Sequence, residues 1–96
     1  MATAKSGTCP TGSAVTVTVD VSPFGNSKGI NVTNTGDGSN AIWVRTDGTA
    51  AAANADNCYP VFGNATFATA DGASSASISL FCAAAGVTYT VASGLL

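Results

Sequence analysis

Between positions 15 and 21 every second residue is valine: Val15, Val17, Val19 and Val21 alternate with Thr16, Thr18 and Asp20. Period 2 with β-branched residues predicts a strand whose valines face a core. The segment SPFGNSKG, with Pro23, Gly25, Asn26 and Gly29, then reads as a turn or loop. INVTN predicts a short strand with Ile30 and Val32 on one face, and TGDGSN predicts a turn. AIWVRT is the next strand, ended by Asp47-Gly48, and residues 49–57 read as an irregular alanine-rich loop. CYPVF is a short extended piece that Pro60 restricts to a sheet edge.

Near the C-terminus, ATFATA and ASISLFC are extended runs on either side of a loop built around Asp71-Gly72. VTYTVAS alternates Val87, Tyr89 and Val91 with Thr88 and Thr90, and Gly86 separates it from Cys82, which predicts a hairpin of the last two strands. No segment has helical period. The expectation is an all-β fold: a small antiparallel β-sandwich or barrel of six to seven short strands. Residues 1–13 carry no period and read as a flexible N-terminal arm, which leaves 14–96 as a single β domain.

Composition thins the expected core. More than half of the 96 residues are Ala, Gly, Ser or Thr. A chain of this size buries roughly 60–65% of its unfolded surface, and small side chains contribute little each to that burial. Neighbouring copies or partners are therefore expected to add stability.

Charge excludes several partners. Three cationic residues, Lys5, Lys28 and Arg45, face five aspartates, for a net charge of −2. Nucleic-acid binding needs clustered Lys and Arg, so no nucleic acid is expected. No run approaches about 18 apolar residues, so no membrane helix is expected. The first residues lack the apolar stretch of a signal peptide, and synthesis in a cytoplasm is expected.

Chemistry is sparse. Histidine and glutamate are absent, which removes the usual general base and the His-dependent nucleophile arrangements. Asp37, Asp47 and Asp71 each precede glycine, as turn aspartates do. Neither TGDGSN nor DGTAAAANADN has the spacing of a calcium loop. No cofactor, metal or enzymatic activity is expected. Asn31 and Asn64 head N-x-T triplets that read as chance matches. Cys9, Cys58 and Cys82 give no C-x-x-C. Cys58 and Cys82 read as small buried hydrophobes, with a Cys58–Cys82 bridge as the other option.

In AIWVR, Ile42 and Val44 share one face, and Trp43 and Arg45 share the other. Either the aliphatic pair faces the core and Trp43 projects outward with Arg45, or Trp43 is the core residue. Trp and Arg are the residues most enriched at binding hot spots. Tyr59 joins them as an interface candidate, and Lys5 and Pro10 do so within the arm, which would order on binding and clamp a neighbour.

From residue 29 onward the order of features resembles small virion proteins of tailed bacteriophages. The similar elements are the strand ending in VRTDG, the alanine-rich loop with ADNCYPV, then TFATADG, and the ending TYTVASG. The resemblance implies a structural role: capsid decoration (cement) in many copies on the outer capsid surface of the virion. The implied partner is the major capsid protein, with self-association for which a trimer suits threefold lattice sites. It carries no catalytic residues. A carbohydrate-binding or adhesive module on a phage tail or spike, stacking sugars on Trp43 and Tyr59, is the alternative. A small inhibitor of a bacterial partner is a third class.

Overall fold

The computed structural model describes residues 2–21, 23, 29–36, 40–46, 49–68 and 75–94. It contains eight strands: β1 (Ala4–Thr8), β2 (Val15–Asp20), β3 (Ile30–Asn34), β4 (Ile42–Arg45), β5 (Tyr59–Val61), β6 (Thr66–Ala68), β7 (Ser75–Phe81) and β8 (Thr88–Ser93). They form two four-stranded antiparallel sheets, ordered β1-β8-β3-β6 and β2-β7-β4-β5. The turn aspartates Asp37, Asp47 and Asp71 lie outside the described residues.

The pairing has a simple logic. β1 pairs with β8, β2 with β7, β3 with β6 and β4 with β5. The chain is thus one long hairpin whose tip is the loop between β4 and β5. Coiling that double strand brings β8 against β3 and β7 against β4, which completes the sheets. Eight strands in two such sheets make a jelly roll.

Valine and isoleucine fill the gap between the sheets. Ile30, Ile42, Ile78, Leu80, Val19, Val21, Val32, Val44 and Val91 are fully buried. The aromatic residues whose burial is described (Trp43, Tyr59, Phe62, Phe67, Phe81 and Tyr89) all keep some exposure. Packed sheets stand about 10 Å apart, a gap that interdigitated β-branched side chains fill. On the outer face of the first sheet, hydroxyls bond across neighbouring strands: Ser6 to Thr90 at 2.8 Å, Thr33 to Thr66 at 2.9 Å and Thr35 to Thr88 at 2.7 Å.

One buried polar side chain joins the sheets. Asn34, at the end of β3, is 0% exposed. Its Nδ2 donates to the carbonyl oxygens of Asn40 and Val61 at 2.9 Å each, and its Oδ1 accepts the Gly36 N–H at 2.9 Å. Its backbone N–H donates to Ala65 O, and its carbonyl accepts the Asn64 N–H. Asn64 sits at φ 64° in the turn that Ala65 N–H closes onto Phe62 O, a backbone region asparagine tolerates well.

Four expectations need correction. The strands number eight, not six to seven. Ala4–Thr8 of the expected arm forms the edge strand β1, in register with β8 from Ala4↔Ala92 to Thr8↔Thr88. Its side chains are almost all exposed, so it has no apolar period to read. The last two strands are not a hairpin, because β7 and β8 lie in different sheets. Alternation predicts a strand but not which sheet receives it. Finally, Cys82 is disulfide-bonded to Cys9, with Cα atoms 6.1 Å apart, while Cys58 is a free, half-buried thiol. Cys82 is fully buried as expected, but its partner comes from the other end of the chain.

Candidate functional site

The β4 strand settles which way Trp43 points. Ile42 and Val44 are buried in the core, and Trp43 and Arg45 lie half-exposed on the outer face. The reverse pairing would have buried the Arg45 guanidinium alongside Trp43, and an unpaired buried charge is far costlier than an exposed indole.

Across the sheet, Trp43 stands opposite Phe81 of β7 on one side and Pro60 of β5 on the other. Phe62 follows two residues after Pro60 and is 51% exposed. Phe81, Trp43 and Pro60 therefore make an apolar row across the outer face that ends in a corner at the β5 edge, with exposed Phe62 just past the end of that strand.

Tyr59 belongs to the same corner but turns toward the sandwich. It is in register with buried Val44, so it shares the inner side of β5. Its ring stacks on Phe67 of β6, with centroids 5.2 Å apart and planes 21° from parallel. The pair closes the gap between the two edge strands β5 and β6, and Tyr59 remains 50% exposed.

The alanine-rich loop covers the other end of the same outer face. Arg45 Nη1 donates to the Asp56 carbonyl at 3.1 Å, and the Ala51 N–H donates to Ser79 Oγ at 2.8 Å. Ala51 is buried by this contact. Alanine suits the position because a larger side chain would hold the loop off the sheet. Beside the loop, over β2 and β7, lies an open pocket of about 290 Å³ lined by Ala14, Thr16, Thr49, Ala50, Ser77, Ile78 and Ser79. Arg45 thus plays a structural part, tethering the loop that leaves Trp43 uncovered.

The five interface candidates do not form one surface. Trp43, Arg45 and Tyr59 lie toward the β5 edge. Exposed Lys5 lies on β1 and half-buried Pro10 just after it, where β1 runs beside β2 at the opposite edge. Phe62, Pro60 and Phe81 were not among the candidates. Period 2 through CYPVF carries the signal for two of them, since an inward Val61 turns Pro60 and Phe62 outward. Among the described residues, no three of His, Cys, Asp or Glu group closely enough to hold a metal ion, and no helix is long and apolar enough to cross a membrane.

No protein family and no curated protein matches this sequence. Among solved structures, the chain is similar to a de novo designed double-stranded β-helix determined by solution NMR. The TM-score is 0.60 at 11% identity, over 94% of this chain and 96% of that one. At that identity the likeness is one of fold: the chain shares its coiled, doubled-back two-sheet architecture with a protein whose sequence is almost wholly different.

Proposed function

We propose that this chain is a structural component of a tailed-bacteriophage virion, a capsid decoration (cement) protein that binds the major capsid protein lattice in many copies. The observation that carries the reading is the uncovered corner of Trp43, Pro60, Phe62 and Phe81 on a domain of only 96 residues. A row of half-exposed aromatics with an exposed phenylalanine beside it on a small domain suits a protein contact. More than half of the chain is Ala, Gly, Ser or Thr, side chains that lose little entropy when covered. The jelly roll is also an architecture of viral capsid domains, a support at the level of fold analogy only. In this reading the protein is made in the host cytoplasm, sits on the outer capsid surface and self-associates, with a trimer matching threefold lattice sites.

Binding of the purified protein to capsids lacking it tests the proposal. Saturable binding at a fixed ratio to the major capsid protein is expected. It should weaken at least tenfold in Trp43→Ala with Phe62→Ser, with the fold retained. Failure of the unaltered protein to bind rejects the reading.

A second reading is a carbohydrate-binding or adhesive module on a tail or spike. Tyr59 favours it, because stacking on Phe67 fixes its ring while half its surface stays exposed. A rigid exposed ring is a platform for a sugar face, and jelly rolls also serve as lectin domains. Glycan-array binding that disappears in Trp43→Ala or Tyr59→Ala would select this reading over the first.

A further inference from the structure

We propose that the Cys9–Cys82 disulfide is a redox latch on strand β1: reducing it releases β1 from the sheet while the rest of the sandwich stays folded. The inference concerns the fold itself and stands apart from the capsid reading.

The β1 strand is held by little else. Ala4, Lys5, Ser6 and Thr8 are exposed, and Gly7 has no side chain to bury. As an edge strand it pairs on one side only, with β8. Beyond the ladder, among the described residues, the segment is joined by Ser6 Oγ to Thr90 Oγ1 at 2.8 Å, by the bonds from Ser93 to Thr3 O, and at its two ends by Asp20 N–H to Ala2 O at 2.9 Å and Cys9 N–H to Val87 O at 2.8 Å. A backbone hydrogen bond gains little net of the bonds to water it replaces, while fixing each residue's backbone costs conformational entropy of comparable size. The ladder alone therefore comes close to breaking even. The apolar anchor of the segment before β2 is Cys9, 2% exposed and bonded to a residue that is 0% exposed.

The bond is also placed to act as a latch. It fixes the C-terminal end of β1 beside the end of β7, where Thr11 bridges to Cys82 and Gly12 N–H donates to Cys82 O. With that end pinned, β1 zips onto β8 from a fixed point. Without it, the described segment before Val15 keeps its backbone bonds to β8, Asp20, Val87 and Cys82 but loses its covalent tie across the two sheets.

The chemistry is thiol–disulfide exchange. A thiolate of a dithiol reductant attacks one sulfur of the pair, the S–S bond breaks, and a mixed disulfide forms. The reductant's second thiolate then closes its own disulfide. Cys9 and Cys82 leave as two thiols, having taken two electrons from the reductant and two protons. Both cysteines lie in the core, so attack waits on a transient local opening that exposes the bond. Release uncovers the Tyr89 ring that packs on Gly7, together with the unpaired edge of β8.

Hydrogen exchange read by mass spectrometry tests the latch in three forms: oxidised protein, protein held in excess dithiothreitol, and the Cys9→Ala/Cys82→Ala variant. Amides of residues 2–9 are expected to exchange at least tenfold faster in the latter two forms, with those of β2, β4 and β7 unchanged. Equal protection of β1 in all three forms overturns the proposal. So does uniform loss of protection across the chain, which would make the bond a staple of the whole fold. Finding both cysteines as free thiols in air-oxidised protein overturns it as well.

Discussion

Asn34 Nδ2 donates to the Val61 carbonyl at 2.9 Å, so a fully buried amide on β3 holds the edge strand β5 of the opposite sheet. The same side chain satisfies Asn40 O and Gly36 N–H. Replacing it with alanine leaves the Val61 carbonyl unpartnered in a buried place, at about 1–3 kcal/mol, and the part-buried Asn40 carbonyl and Gly36 N–H unpartnered at a smaller cost. Asn34→Ala is expected to lower stability by about 2–4 kcal/mol, read by urea unfolding. Asn34→Asp carries a sharper test. Its carboxylate would face two carbonyl oxygens, which raises its folded-state pKa above the unfolded value. Such a group binds more protons when folded, so the variant should recover stability relative to the parent as pH falls.

The facing of β4 predicts an ordering of two neighbouring substitutions. Ile42 is 0% exposed, and Trp43 stands half-exposed beside it. Ile42→Ala is expected to cost about 2–5 kcal/mol, and Trp43→Ala clearly less despite deleting more atoms. Thermal or urea unfolding of the two variants reads the order. The reverse order would mean that the tryptophan belongs to the core.

Gly7 and Tyr89 are cross-strand partners, and the ring lies against the glycine. A Cβ on Gly7 would come within 3.0 Å of Tyr89 Oη and 3.2 Å of Cζ. Gly7→Ala is expected to destabilise by about 1 kcal/mol, as overpacking does. In the Tyr89→Ala background the same change should cost nothing or stabilise. A double-mutant cycle measures that coupling.

Arg45 tethers the alanine-rich loop through Asp56 O. Arg45→Ala is expected to lower global stability by no more than about 1.5–3 kcal/mol, the range for a hydrogen bond from a charged group, reduced by solvent exposure. Proteolytic nicking within residues 49–57 should quicken several-fold. Limited proteolysis at fixed temperature separates this local effect from global loss.

Much of the strand content was legible. Valine alternation at positions 15–21 marks β2, and Pro60 marks an edge strand, as found for β5. Topology was not legible, because period 2 reports an inner face and carries no information on which strand lies alongside. The β7–β8 hairpin expectation failed for that reason. β1 escaped notice because backbone pairing and a disulfide hold it, and neither writes a hydrophobic pattern. The Cys9–Cys82 pair follows from where the coiled hairpin brings its ends, across 73 positions of sequence. Trp43 was half legible: period 2 offered two faces, and Arg45 on the same face as Trp43 decides between them. Asn34 carried no signal, since only the fold surrounds it with carbonyl groups.

The proposed function turns on whether the chain is part of a particle in many copies. Quantitative mass spectrometry of purified virions, counting this chain against the major capsid protein, measures that directly. The account predicts hundreds of copies per particle. A few to a dozen would contradict the decoration role and shift the chain to a tail or spike. Absence from particles would contradict the virion assignment altogether.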